Sequence, residues 1–331
     1  MIRNLLIVTD HSTHTASNSI YELGVALNAC RINANIWVCS KGIKENKDFF
    51  NSITDAAIYA TAINSSFAFH PSGMGFSQST VRIDRKEIDA IIVRMPQPLD
   101  KQFLLSLNNI VSSEKIINNP QGTIETSSKE FLITVAHLCP PLSLCQNIDD
   151  AIRLSQQMEI VLKPLYSYGG IGIGRLSDEY YWEGDTRYPA SEISSRALEN
   201  QFPMLAMKYL SNVSLGDKRT IVVNKKILGS ALRLPAEGSW ICNVANGGRA
   251  MISETDEDEL IIERELTPLL YEKGVIMYGF DTLTDDNGKR VLSEINTLSI
   301  GGIGPLSELS GRPILKEAAE LLWAYLEKSN E

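Results

Sequence analysis

The sequence predicts an α/β fold in two parts, an N-terminal βαβ domain on a Rossmann-like parallel sheet and then an α+β module assembled from hairpins. Three features carry that expectation. Over the first third, short apolar runs alternate with a stretch of helical periodicity, the grammar of parallel sheets with crossover helices. From residue 159 onward the apolar runs come in pairs around turn residues, the grammar of antiparallel hairpins. Residues 314 to 326 place Ile314, Leu315, Ala318, Leu321, Leu322, Tyr325 and Leu326 on one side of a closing helix.

The elements follow in order. "NLLIVTD" reads as a buried strand, and "SNSIYELGVALNACR" as a helix with Ile20, Leu23 and Leu27 inward and Ser17 or Ser19 as N-cap. "ANIWVCS", "DAIIVRMP" and "KIINN" read as further strands; residues 50 to 85 give no clear element, and within them "SSFAFHPSGMGFSQS" reads as loop or lid. After Pro120 a helix is expected at "SSKEFLITVAHL", extended chain at "CPPLSLC", and a short amphipathic helix at "IDDAIRLSQQM". "EIVLKPL" and "FPMLAMKYL" are strands, and "DKRTIVVNKKILGSALRLP" is two strands around Asn224-Lys225-Lys226. "DELIIERELTPLLYEKG" is a helix closed by Gly274. "VIMYGFDTL" and "KRVLSEINT" form a hairpin through "TDDNG". The expected units are residues 1–122, 123–205 and 206–331.

Bulk properties exclude several functions. A chain of 331 residues with 44% hydrophobic and 21% charged content has the make-up of an ordinary globular protein. Its net charge of −9 argues against nucleic-acid partners. The apolar run before Asp10 is too short for a signal peptide and no later run is long enough to cross a membrane. The cysteines (Cys30, Cys39, Cys139, Cys145, Cys242) are odd in number and lack C-x-x-C spacing, as expected of reduced thiols in a cytoplasmic protein. His11 and His14 read as loop polar residues rather than zinc ligands, and His70 and His137 as structural. "ETDEDE" (254 to 259) reads as a solvated helix start.

The stretch "VLKPLYSYGGIGIGRL" places Lys163 ahead of Gly169, Gly170, Gly172 and Gly174. A P-loop lysine follows its glycines, and a dinucleotide fingerprint runs from strand to helix, so neither motif fits. Two readings stand: a glycine loop that folds over a triphosphate, or an ordinary glycine-rich hairpin with an exposed lysine. The second cluster lies in "GFDTLTDDNGKRVLSEIN". If that hairpin forms, Asp281 faces Glu294 and Asn296, which are two apart and share one face. Hard oxygen donors of this kind suit Mg²⁺ shared with phosphate; the alternative is a solvated polar sheet face.

A strand lysine, a glycine loop, a later strand "AMKYL" and a terminal D…E-x-N set occur in the order of the ATP-grasp fold. Here the chain resembles the bacterial glutathione synthetases along most of its length. The resemblance is clearest in "IINNPQGTIETSSKEFL", "IVLKPLYSYGGIGIGRL", "GDKRTIVV", "ALRLPAEGSWICNVANGGRA" and "YGFDTL…LSEIN". It implies an ADP-forming carboxylate–amine ligase working through an acyl phosphate, with γ-glutamylcysteine and glycine as the leading substrate pair. It also implies ATP and two Mg²⁺ ions (Mn²⁺ as a substitute), a small-molecule or peptide substrate, and a homo-oligomer, dimer or tetramer. By that resemblance Lys129 and Lys163 hold the ATP phosphates, and the loop from Tyr168 through Gly169, Gly170 and Gly172 to Gly174 closes over them. Met207, Lys208, Tyr209 and Leu210 form the adenine-side hinge strand and offer backbone hydrogen bonds to the purine edge, with Asp217 near the nucleotide. Arg219 and Arg233 face the transferred phosphoryl group and substrate carboxylate, and Asp281, Glu294 and Asn296 bind the metal.

Two departures bear on substrate. Where the family carries an arginine in its lid, this chain has Trp240, Ile241 and Cys242 in "SWICN". After Asn296 it reads "TLSIGGIGPLSELSG", offering Ser299, Gly301 and Gly302 and no cation until Arg312. Arg94 in "IIVRMPQP" either binds a substrate carboxylate or is an exposed strand-end arginine. The remaining alternatives are an ATP-grasp ligase for a different amino acid, small peptide or protein chain, and a nucleotide-binding sensor or scaffold without catalysis.

Overall fold

A computed structural model describes residues 2–184, 186–195, 201–236, 239–242 and 248–328, and only the backbone of 194 and 195. Three sheets organise them, each built from consecutive strands. The first sheet holds β1 (Asn4–Thr9), β2 (Asn35–Ser40), β3 (Ile58–Ala62), β4 (Val81–Ile83), β5 (Ala90–Arg94) and β6 (Ile116–Ile117), in the order β4-β3-β2-β1-β5-β6. Strands β2, β1, β5 and β6 run parallel. The 50 to 85 stretch, without a clear element in the sequence, supplies β3 and β4 on either side of "SSFAFHPSGMGFSQS", and they pair antiparallel at one end of the sheet.

Alternation along β1 sorts its side chains between two cores. Leu5 and Ile7 join the helices Ile20–Cys30 and Ile314–Lys328, whereas Leu6 and Val8 join Phe49, Phe50 and Phe103. Trp323, fully buried, donates its indole N–H to the Leu27 carbonyl at 3.1 Å. Ser19 occupies the N-cap position of the first helix, but its hydroxyl donates to Ile300 O instead, and Asn18 accepts the Ile20 N–H.

The second sheet holds β7 (Leu142–Cys145), β8 (Ile160–Pro164), β9 (Gly174–Leu176), β10 (Tyr180–Glu183), β11 (Thr186–Pro189) and β12 (Met204–Lys208), all antiparallel, in the order β11-β10-β9-β8-β12-β7. The expected division at 205/206 falls inside β12. Pro120 opens an α-helix at Pro120–Thr126, its missing N–H harmless at that position. The helix expected next is instead a 3₁₀ segment, Lys129–Leu138, broken at Val135.

The third sheet holds β13 (Asp217–Val223), β14 (Lys226–Leu234), β15 (Arg249–Ser253), β16 (Met277–Thr284) and β17 (Arg290–Asn296), in the order β15-β14-β13-β16-β17. Asn224 and Lys225, both with positive φ, turn β13 into β14. The helix Glu257–Glu272 packs Ile262, Leu266 and Leu270 on this sheet. Its start is less solvated than expected. Asp256 and Glu259 form a capping box, and fully buried Glu259 pairs with Lys218 at 2.7 Å.

The sheets are tied together by Asn118, at the end of β6. Its amide oxygen accepts from the N–H groups of Ile276 and Met277, at 2.8 and 2.9 Å. Its amide nitrogen donates to the carbonyls of Met277 and Thr297, both at 2.7 Å. All four capacities of one buried amide are used, which fixes the first sheet against the strands that carry the acidic cluster.

Candidate active site

One cavity of about 890 Å³ opens where the three sheets meet. Its wall is a ladder of charge across β14, β13, β16 and β17. Asp217 lies opposite Arg233, Arg219 opposite Asp281, and Asp281 opposite Glu294. Arg219 binds Asp281 through two parallel bonds of 2.7 and 2.6 Å, and Arg233 reaches the same carboxylate at 2.9 Å while also holding Asp217. Such bidentate pairing uses the planar fork of the guanidinium. Burial raises the pKa of the Asp281 carboxyl, but the two arginines outweigh it and hold the group well below the usual carboxylate range. Asp217 behaves differently: burial pushes it up to about 6 against the pull of Arg233.

A bulge in the β16–β17 pairing explains how lysine and acids converge. The register steps from Asp281↔Glu294 to Thr282↔Leu292, leaving Ser293 as the extra residue. Its carbonyl accepts from Lys163 Nζ at 3.0 Å, and its hydroxyl donates to the Asp281 carbonyl at 3.2 Å. Lys163 is buried, not the exposed lysine of the bland hairpin reading, and burial lowers its pKa against the opposing charge of Glu294. Lys129, also buried, lies 3.4 Å from Glu294, donates to the Ser167 carbonyl and sits over the Tyr168 ring.

The glycine stretch is the β8–β9 turn, as its spacing suggests. Gly169, Gly170 and Gly172 have positive φ, and a Cβ on Gly170 would stand 2.9 Å from Ile241, so side chains there would hold the segment around Trp240 away. Trp240 donates to the Gly184 carbonyl and meets Tyr209 edge to face at 6.3 Å. The other face of the hinge is rigid: the Arg175 guanidinium lies 3.8 Å from the Tyr209 ring centroid and binds Glu159 at 2.6 Å. The hinge expectation narrows, because the N–H groups of Lys208 and Tyr209 already donate to Pro141 and Glu159, and the Lys208 ammonium pairs with Asp286. Met207 and Leu210 line the cavity beside them. Of the expected lid, residues 237, 238 and 243–247 lie outside the described residues.

At the far end the first sheet contributes residues that sequence reasoning missed: Thr13, Asn18 and Met95 to Pro98. They follow β1 and β5, the neighbours at which the strand order reverses, where open α/β sheets bind ligands. Strand order was the missing signal. Ser299 and Gly301 line the same end; Ser299 donates to Met95 O at 2.7 Å, and Gly302 caps the helix Ile303–Ser310 beside Arg219. Arg94 is neither exposed nor part of the cavity wall. Its guanidinium is buried, donating at 2.7 Å to both Ser19 Oγ and Ile300 O, and burial lowers its pKa to about 10.

His11 and His14 brace the loop that carries Thr13. His11 bonds Ser40 Oγ at 2.6 Å, and His14 lies 3.0 Å from both Thr9 Oγ1 and Tyr21 OH. Burial, then His11, lowers the His14 pKa from 6.5 to about 4. The unfolded chain therefore takes up this proton first, and stability present above pH 6.5 is lost as the pH falls toward 4. Unfolding midpoints measured across that window are expected to fall in the parent and to flatten in His14→Gln.

A parallel-centred α/β sheet facing two antiparallel sheets, with lysines, arginines and oxygen donors around one cleft, defines the ATP-grasp class. Residues 128–311 match the family described as prokaryotic glutathione synthetase, ATP-grasp domain. Glutathione synthetase of Agrobacterium fabrum is 30% identical over 285 residues, covering 85% of this chain and 84% of that protein. The enzyme of Mesorhizobium japonicum is 30% identical over 251 residues, 75% of each chain. Among solved structures, D-cycloserine synthetase DcsG has a TM-score of 0.62 at 14% identity, covering 96% of this chain and 99% of its own. The macrocyclase MdnC bound with precursor peptide MdnA, from Microcystis aeruginosa, has a TM-score of 0.60 at 15% identity, covering 97% and 99%. At those identities the two structures speak for the fold. The chain belongs to the prokaryotic glutathione synthetase family.

Among the described residues no group of three or more His, Cys, Asp or Glu gathers as a metal site. The donor set is instead two carboxylates and an amide: Asp281, Glu294 and Asn296, whose Nδ2 turns toward Asp281 at 3.5 Å. All three are oxygen donors beside buried lysines, which suits a divalent ion completed by phosphate oxygens. No helix of the described residues is long and apolar enough to cross a membrane.

Proposed function

We propose that this cavity is the active site of an ADP-forming carboxylate–amine ligase that makes an amide bond through an acyl phosphate, in the cytoplasm. The observation that carries the reading is the convergence of Lys163, Arg219 and Arg233 with Asp281, Glu294 and Asn296 on one wall. A carboxylate is a poor electrophile; transfer of a phosphoryl group to it creates a leaving group that an amine can displace. Lys129 and Lys163 hold the phosphates, and the loop from Tyr168 to Gly174 covers them. Met207 to Leu210 border the purine. Arg219 and Arg233 compensate the charge that builds as one anion approaches another, with Asp217 orienting Arg233. Asp281, Glu294 and Asn296 would hold two Mg²⁺ ions, which would supply further charge compensation. Ser299, Gly301 and Gly302 shape the substrate end, and Arg94 acts on it through the Ile300 carbonyl.

The test is ADP and phosphate release with Mg-ATP, γ-glutamylcysteine and glycine, with the product mass determined. Release that needs both substrates and yields a product of glutathione mass supports the leading pair. Tight Mg-ATP binding without release would remove that pair. It would favour the second reading, a different amino acid, small peptide or protein chain, which Trp240 to Cys242 and the turn after Asn296 motivate. Lys163→Met is expected to weaken ATP binding about 10- to 100-fold, roughly 1.4 to 2.8 kcal/mol. An unchanged Kd by calorimetry would remove Lys163 from the phosphate site.

A further inference from the structure

A second cleft, of about 800 Å³, lies on the first sheet and shares no lining residue with the ligase cavity. Its walls are the loop after Phe49, the edge strand β4 with the residues that follow it, and the chain around Ile110. Three cations converge there, Arg82, Arg85 and Lys86. Among the described residues, no ion pair within 4.0 Å engages any of the three. Two carboxylates line the same cleft: Asp84, which accepts the Lys86 backbone N–H at 3.0 Å, and Asp55. In a chain with 40 acidic and 31 basic residues, three unpaired cations in one cleft run against the overall charge.

Arg85 is held in position. Its Nε donates to the Ala56 carbonyl at 3.0 Å and its guanidinium lies 5.6 Å from the Phe49 ring centroid. Both constraints fix the plane of the group, and no hydrogen bond of its two Nη atoms to the described residues competes for them. That is the edge with which arginine takes an anion through two parallel bonds. The facing loop leaves the helix Lys47–Phe50 through a left-handed cap: Ser52, with φ of 61°, donates its N–H to the Phe49 carbonyl and Ile53 donates to Asp48, both at 3.0 Å. Ile83 and Ile110 add an apolar side to the cleft, whose volume suits a small ligand.

We infer that this cleft binds a small phosphate-bearing molecule, its phosphate on Arg85 with Arg82 and Lys86 and its apolar part against Ile83 and Ile110. The inference does not rest on the ligase reading. The test is hydrogen exchange on the full chain, titrating inorganic phosphate against chloride at equal ionic strength, with residues 161–176 of the other cavity followed separately. Saturable protection of residues 49–57 and 81–87 by phosphate alone is expected. Arg85→Met, which keeps an unbranched side chain over Phe49, should weaken it at least tenfold without altering turnover in phosphate-free buffer. Lys86→Ala, at an exposed position, serves if that variant does not fold and should weaken it severalfold. Absent protection, equal protection by chloride, or an unchanged midpoint in the folded variants would overturn the site.

Discussion

Glu294→Gln is expected to lower turnover by about 10²- to 10⁴-fold while leaving the unfolding midpoint close to the parent value. The side chain is 20% exposed and its ion-pair partner is Lys129 at 3.4 Å, so losing its charge disturbs little of the buried framework. The loss falls on the chemistry, because an amide oxygen is a weaker partner for a divalent ion than a carboxylate. A few kcal/mol of lost charge compensation corresponds to that range of rate. Nucleotide affinity measured in a chelator should stay unchanged, whereas affinity in Mg²⁺ should drop. Turnover within tenfold of the parent would remove Glu294 from the metal site. A parent chain that binds Mg-ATP but turns over nothing with any carboxylate and amine would point to the sensor alternative.

Asp281→Asn should have a different signature, a loss of stability as well as of activity. The aspartate is fully enclosed; Arg219 takes it as its charge partner, and Arg233 shares it with Asp217. Removing one member of a buried ionic network costs about 3–5 kcal/mol, because the remaining charges keep their desolvation penalty without their partner. Denaturant unfolding should show this, and combining Asp281→Asn with Arg219→Met should recover part of it. A single variant within about 1 kcal/mol of the parent would mean that water reaches the guanidiniums. The sign of the pH response follows from the same group. With its folded pKa depressed, the stability it contributes is present above its unfolded value near 3.8 and is lost as the pH falls through the lower folded value.

Much of this site was legible before any coordinates. "LLIV" in β1 and "AIIV" in β5 are apolar throughout because both faces of a parallel sheet are covered, and buried strands announce themselves in that way. Glu294 and Asn296 share a face because strands alternate, and "DDNG" fixes the hairpin that brings Asp281 opposite. What stayed hidden depended on register or on distant packing. β3 and β4 are short, β4 is the edge strand and its "VRI" is mostly exposed, so neither carries a continuous apolar run. The bulge at Ser293 that aims a carbonyl at Lys163 has no local signature. Arg94 reads as a strand-end cation until the strand order and the turn at Ile300 bury it. Glu259 reads as solvated because its partner, Lys218, is 41 residues away.

The packing of Trp323 against Leu27 has a consequence for how the chain is made. These residues are 296 positions apart, yet Leu5, Ile7, Ile20 and Leu23 share their core with Ile314, Leu322 and Leu326. At about 5 to 20 residues per second, a ribosome needs roughly 15 to 60 s to bridge that interval. Until then one face of the first sheet has the helix Ile20–Cys30 for cover but lacks Ile314–Lys328, although its strands emerge well before that last helix. The nascent chain must therefore carry an open apolar surface through most of its synthesis, a surface that a chaperone can hold and that a stalled or truncated product would leave exposed for good.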